Sequence, residues 1–259
     1  MSSLLSYIEQ AVSKAEKLLA VLIDPDKMQV KNVQGFMRKV NASTVNIVLV
    51  GGSTVEEHVT DRLMSEIKKH THLPIVIFPG DVTQITDKAD AILFLSLISG
   101  RNPEYLIGKH VEAVSKLENT QLEVIPTGYI LIENGKQTSV ESVSQTKPMS
   151  RSDIQKIVDT AKAGELLGMK LLYLEAGSGA LYPVSEDIIS RVKAALNVPL
   201  IVGGGIRNLE TLETAFNSGA DMVVIGTAFE NDNRFFEELK APLSYGHFPK
   251  GENFKINTK

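Results

Sequence analysis

The sequence has no cysteine, which excludes disulfides, a thiolate nucleophile and any sulfur-ligated metal. That absence fits a cytoplasmic enzyme. Long apolar runs are missing too: the longest, around 91–98, falls far short of the roughly 20 residues a membrane-spanning helix needs. The stretch Met-Ser-Ser-Leu-Leu-Ser-Tyr-Ile-Glu-Gln lacks a basic n-region and a small-residue cleavage site, so no signal peptide is expected. Neither sign of charge dominates. The 27 basic and 31 acidic residues leave a net charge of −4, and without a basic run nucleic acid is excluded as a partner. Histidine is sparse: His58, His70, His72, His110 and His247 are scattered over helices, loops and tail.

What is present is apolar, regular and glycine-punctuated. A length of 259 residues, 43% hydrophobic and 22% charged, suits one domain, 1–259, with a large core. A barrel of about 250 residues accounts for it better than two average domains. Runs rich in Val, Ile and Leu at 20–23, 44–50, 74–78, 91–95, 122–129, 171–174, 200–202 and 222–225 read as buried parallel strands. Helices are predicted at 2–19, near 30–41, and at 54–69, 102–116, 150–168, 185–196, 208–218 and 233–239 from polar starts and amphipathic stripes. The order is that of an α/β chain forming a (β/α)8 TIM barrel. One connection is short. Between Phe78 and Ala91 there are only about a dozen residues, the minimum for a parallel crossover with its helix, so the third helix is expected to be reduced or missing. The gap would be covered by a short loop and the termini, by an elongated apolar ligand, or by a second subunit. After the fifth strand, Asn134-Gly135 between strand-formers predicts a type I′ hairpin folding back over the mouth, as a lid or as a simple excursion.

Two strand ends near the C-terminus are glycine-rich: Leu200-Ile-Val-Gly-Gly-Gly-Ile206 and Met222-Val-Val-Ile-Gly-Thr227. In a barrel, the loops after strands seven and eight commonly hold a substrate phosphate. Glycines let backbone N–H groups approach an anion closely, and a following helix start adds its positive end. Other strand ends carry chemistry. Asp24, in Leu22-Ile-Asp-Pro-Asp-Lys27, would point into the mouth as a magnesium ligand or hydrogen-bond acceptor, while Asp26 would cap the next helix. Lys27 reads as a solvated helix-start residue or as a neutraliser of an anionic substrate. Ser53 or Thr54, after Gly51-Gly52, offers a hydroxyl to a metal or phosphate, or else an N-cap. In Tyr173-Leu-Glu-Ala-Gly-Ser-Gly179, alternation puts Tyr173 and Glu175 on one side and Leu174 opposite. Glu175 could bind or deprotonate a substrate hydroxyl, or be a buried structural carboxylate. Arg207 is a phosphate partner or a surface helix residue. His70 and His72 precede the third strand, at the wrong end of the barrel for catalysis. They read as solvent-facing, and neither an acid–base histidine nor a histidine-ligated metal is expected.

Taken together, Asp24-Pro-Asp-Lys27, Gly51-Gly-Ser53, Tyr173 to Gly179, Gly203-Gly-Gly205 and Gly226-Thr227 resemble the geranylgeranylglyceryl phosphate synthase family over nearly the whole chain. The resemblance implies a modified (β/α)8 barrel without its third helix. It also implies a prenyltransferase that joins sn-glycerol 1-phosphate to geranylgeranyl diphosphate, or a related prenyl diphosphate, through an ether bond. On that resemblance Asp24 and Ser53 would ligate Mg2+, and Tyr173 and Glu175 would hold the glycerol hydroxyls, with Glu175 assisting proton loss. The 173–179 segment (Tyr173, Leu174, Glu175, Ala176, Gly177, Ser178 and Gly179) together with Gly203, Gly204, Gly205, Gly226 and Thr227 would bind glycerol 1-phosphate. Some members carry lysine two residues before the first Asp, where this chain has Leu22. The family includes dimers and hexamers, so a homo-oligomer is implied, acting in the cytoplasm with at most transient contact with a membrane surface. Phe78, Leu97, Ile98, Tyr105 and Ile107 are candidate linings for the prenyl groove, and Arg101 a candidate diphosphate contact. The rival is another phosphate-barrel enzyme, an isomerase or lyase acting on a small phosphorylated metabolite. A non-catalytic phosphate binder is disfavoured by the two carboxylates Asp24 and Glu175.

Overall fold

A computed structural model describes residues 3–52, 59–226 and Leu239. The strands are β1 (Leu18–Ile23), β2 (Ile47–Val50), β3 (Ile75–Ile77), β4 (Ala91–Leu97), β5 (Glu123–Leu131), β6 (Leu171–Glu175), β7 (Leu200–Gly203) and β8 (Met222–Ile225). They pair in parallel in chain order, and β8 closes on β1 with Leu18 opposite Met222. The α/β barrel expected from the apolar runs is therefore the fold. Strand alternation divides the core into two shells. Residues such as Ala20, Leu49, Val76, Tyr129, Tyr173 and Val224 fill the interior. Their neighbours Val21, Val48, Ile77, Ile130, Leu174 and Val223 pack outward against the helices. Burial on both faces is why the strands read as unbroken apolar runs.

Helix α1 (Leu4–Ser13) plugs the bottom of the barrel, adding Leu4, Ile8 and Ala11 to the interior shell. The Glu123 carboxylate, at the start of β5, accepts the Leu4 and Leu5 N–H groups at 2.5 and 3.0 Å. It thereby satisfies donors that a helix start leaves unpaired. The helix ends short of its predicted limit because Ala15 turns into the left-handed region (φ 57°), which frees Leu18 and Leu19 to begin β1. The outer ring continues with α2 (Val33–Asn41), α3 (Val59–Lys68), α4 (Lys109–Leu117), α5 (Ser139–Ser144), α6 (Ile154–Leu166), α7 (Glu186–Ala195) and α8 (Leu209–Asn217). The predicted helix at 233–239 lies outside the described residues except for Leu239, which is buried.

Between β3 and β4 the chain makes a single 3-10 turn, Val82–Gln84, as the short connection required. Helix α4 leans over that gap. Lys109 Nζ reaches Asp81 at 2.9 Å and Lys116 Nζ the Val82 carbonyl at 3.1 Å.

The predicted hairpin does not form. Ile132 bridges Met149 in parallel, and the chain then builds the short helix α5, whose N-cap Thr138 accepts from the Glu141 N–H. A type I′ turn needs positive φ at both central residues, but only Gly135 has it (φ 90°). Asn134 is instead buried, its amide donating to the Ala176 carbonyl and its oxygen accepting the Lys136 N–H. A tertiary contact outweighs the local turn preference.

Candidate active site

The C-terminal ends of the strands enclose a mouth cavity of about 660 Å³. Asp24, Tyr173, Glu175, Gly177, Ser178, Gly179, Gly204, Gly205 and Gly226 line it, as their strand-end positions predicted. Leu174 and Ala176 are wholly buried in the outer shell, so their side chains face away from the mouth. Alternation required this of Leu174; Ala176 contributes its N–H to the Gly203 carbonyl at 3.0 Å. Ser53 and Thr227 lie outside the described residues.

Glu175 closes the wall between β6 and β7. Its side chain is only 6% exposed, and Oε1 accepts the Gly177 N–H at 2.5 Å. Burial pushes its carboxyl pKa up, against the nearby Tyr173 hydroxyl and the Gly177 N–H, which favour the anion. Burial, and then the charge of Glu175, hold the Tyr173 phenol well above its ordinary value, so it remains a protonated donor. The glycines of β7 make room for this pair. A Cβ at Gly203 would lie 2.3 Å from the Tyr173 hydroxyl, and one at Gly204 2.4 Å from Glu175 Oε1. Beside them, the N–H groups of Gly179, Gly204 and Gly205 donate to no group among the described residues. Three free donors at the end of the barrel form a ready anion site.

Across the mouth Asp24 is partly exposed. Oδ1 accepts the Asp26 N–H at 3.1 Å, while Oδ2 pairs with Lys27 Nζ at 2.8 Å. Asp26 is exposed and does not cap a helix: α2 follows a 3-10 turn whose cap, Gln29, makes no side-chain bond. Lys27 is solvated as expected, with its side chain 49% exposed, but it pairs with Asp24 and does not start a helix. The donor set suits magnesium, a hard cation usually held by one or two carboxylates and completed by phosphate oxygens and water. Asp24 offers the carboxylate at the open side of the cavity, with Gly51 and Gly52 beside it. Among the described residues no cluster of three His, Cys, Asp or Glu forms a closed metal cage.

An apolar groove runs from the mouth through the gap left by the missing helix. Phe78, Tyr129, Val140 and Gly52 border both spaces. Phe78, Tyr129 and Tyr173 form an aromatic cluster at this junction, with ring centroids 5.3–5.9 Å apart. Beyond it the groove is walled by Ile85, Ile92, Phe94, Leu97, Tyr105 and Ala113. Of the predicted linings Phe78, Leu97 and Tyr105 are present. Ile98 belongs to the outer core and Ile107 is exposed. Arg101 also departs from expectation: its guanidinium folds onto the Ile98 and Gly100 carbonyls of its own loop, away from both spaces.

Sequence reasoning missed residues whose roles depend on long-range contacts. Gln84, in the 3-10 turn, donates to the Gly52 carbonyl at 2.8 Å and so holds the loop after β2. His110 is buried on the groove, packed edge-on to Phe94 at 4.3 Å, with Nε2 3.3 Å from Ser96 Oγ. Burial lowers its pKa, opposed by the Leu95 and Ile107 carbonyls. His70 is partly buried against Glu66 at 3.1 Å, while His72 is exposed as expected. Arg207 lines the mouth beside the glycines, and its Nη2 donates to the Ala180 carbonyl at 2.5 Å, tying the β6 and β7 loops together.

The profile of the PcrB family matches residues 11–243. Geranylgeranylglyceryl phosphate synthase of Zunongwangia profunda is 54% identical over 231 residues, covering 89% of this chain and 98% of that protein. The protein of the same name from Flavobacterium johnsoniae is 51% identical over 237 residues, covering 92% and 98%. The crystal structure of (S)-3-O-geranylgeranylglyceryl phosphate synthase from Thermoplasma acidophilum, in complex with sn-glycerol-1-phosphate, matches with a TM-score of 0.87. The identity is 33%, over 93% of this chain and 96% of that one.

Proposed function

This chain belongs to the PcrB family, and from that premise we propose that it is a prenyltransferase making ether lipid precursors. It joins sn-glycerol 1-phosphate to geranylgeranyl diphosphate, or a related long prenyl diphosphate, and releases diphosphate. The observation that carries the reading is the continuity of two unlike spaces. An apolar groove opens, at Phe78 and Tyr129, into a mouth holding a buried carboxylate and free glycine N–H groups. A sugar-phosphate isomerase has no use for such a groove.

The N–H groups of Gly179, Gly204 and Gly205 would hold the acceptor's phosphate, and Tyr173 with Glu175 its hydroxyls. The hydroxyl oxygen attacks C1 of the prenyl donor, the bond from C1 to the diphosphate oxygen breaks, and its electron pair leaves with the diphosphate. Glu175 takes the hydroxyl proton, and the burial that raises its pKa makes it a better base than a solvated carboxylate. No covalent nucleophile is needed, because orientation and charge stabilisation carry the step. Asp24, with Ser53, which follows Gly51-Gly52 in sequence, would hold magnesium, which when bound neutralises the departing diphosphate. The proposal includes cytoplasmic action and a homo-oligomer. An exposed apolar stripe on and before α4 (Ile107, Val111, Val114) gives such an assembly a face to cover.

The test is incubation with radiolabelled glycerol 1-phosphate, Mg2+ and prenyl diphosphates of graded length, followed by extraction into organic solvent. Labelled lipid is expected with long donors. No labelled lipid at any length overturns the assignment.

A further inference from the structure

Two cations flank the 176–180 loop, and they are used differently. Arg207, the more obvious phosphate partner in the sequence, donates to the Ala180 and Gly179 carbonyls at 2.5 and 3.4 Å. Its guanidinium serves the loop. Lys136 approaches from the other side. Its Nζ lies 3.0 Å from the position a Cβ on Gly179 would take. Its only hydrogen bond among the described residues is made by its backbone N–H.

The backbone that carries this lysine is fastened to the same loop at several points. Asn134 donates to the Ala176 carbonyl and accepts the Lys136 N–H at 3.1 Å, and the Asn134 carbonyl accepts the Tyr182 N–H at 3.3 Å. The Thr138 methyl presses on Gly177, where a Cβ would come within 2.4 Å of it. Beside Gly179, an exposed lysine on so fixed a mount has a place but no side-chain partner among the described residues.

We propose that Lys136 is a specificity-determining residue whose ammonium closes over the acceptor's phosphate and selects a phosphorylated glycerol over a neutral one. This deepens the prenyltransferase reading and rests on it for the identity of the acceptor. The phosphate would be gripped by backbone dipoles from below and by a full charge from above, and a charge-assisted hydrogen bond is stronger than a neutral one.

The experiment compares wild type with Lys136→Gln, Lys136→Met and Lys136→Arg, by steady-state kinetics and by calorimetric titration of glycerol 1-phosphate without prenyl donor. Gln and Met are expected to raise KM and Kd for glycerol 1-phosphate about tenfold to a hundredfold, the range for loss of a hydrogen bond to a charged group. KM for the prenyl donor and the melting temperature should be unchanged, and Arg should restore most of the affinity. Added salt should weaken binding by wild type more than by Lys136→Gln. Unchanged affinity in Lys136→Gln, or equal loss toward both substrates, overturns the proposal while leaving the prenyltransferase reading intact. Should wild type fail to turn over, weaker titration of glycerol 1-phosphate by Lys136→Gln still supports the lysine's role and places the failure in the proposed reaction.

Discussion

Substituting Gly204 with alanine tests whether the wall between β6 and β7 is packed as described. Gly204 has φ 82°, and its Cβ would meet Glu175 Oε1 at 2.4 Å, the Gly177 nitrogen at 2.5 Å and the Ala176 nitrogen at 2.8 Å. Two of those atoms are backbone and cannot swing aside. The left-handed conformation costs an L-residue about 1–2 kcal/mol, and forcing a methyl into a filled space about 1–3 kcal/mol more. At roughly 2–4 °C per kcal/mol for a chain of this size, the melting temperature should fall by about 4–20 °C. Gly168 is the control. It has φ 96° with nothing within 4 Å of its Cβ position, so Gly168→Ala carries only the conformational cost and should lower the melting temperature by roughly 2–8 °C. Activity separates them further, because Gly204→Ala displaces the Gly177 donor from Glu175 whereas Gly168 lies at the end of α6, at the other end of the barrel. Thermal unfolding and turnover of both variants are the assay. A Gly204→Ala enzyme as stable and active as Gly168→Ala would refute the reasoning.

Glu175→Gln should cut kcat by about 10²–10⁴-fold, the usual worth of a general base, without lowering stability at neutral pH. Burial holds the Glu175 pKa above its ordinary 4.5, so in the pH window between the unfolded and folded values the folded state keeps a proton that the unfolded chain has released. Its contribution to stability is therefore full below the unfolded value and is lost as pH rises through the folded one. Melting curves across that window should show wild type losing stability relative to Glu175→Gln; parallel curves would remove the buried-charge account. Asp24→Asn should abolish turnover at saturating Mg2+ while glycerol 1-phosphate binding, read by calorimetry, stays near wild type. Unchanged turnover would remove Asp24 from the proposed metal role.

Much of this architecture was legible because parallel strands buried on both faces leave unbroken Val, Ile and Leu runs, each ending where the mouth begins. The stretch from Phe78 to Ala91 was too short for a helix, and the gap followed from counting. Asp24, Tyr173, Glu175 and the glycines stood at strand ends, where period-two alternation alone aims side chains. What was not legible depended on distant partners. Asn134-Gly135 carried the local signature of a hairpin, but the asparagine is drawn into a bond with Ala176, forty-two residues away in sequence. Gln84, His110 and Lys136 sit on short turns, helix faces and loops with no periodic signal, and only the closed barrel brings them to the groove and mouth. Arg101 misled for the converse reason: a cation near a strand end can spend its donors on carbonyls of its own loop.

The central claim is that an acceptor hydroxyl, held at Glu175, displaces diphosphate from C1 of the prenyl donor. Glycerol 1-phosphate labelled with ¹⁸O in its free hydroxyls tests it directly, with mass spectrometry of both products. The account predicts one labelled ether oxygen in the extracted lipid and none in the released diphosphate. Unlabelled diphosphate released without any labelled ether lipid, or ¹⁸O recovered in the diphosphate, would contradict it.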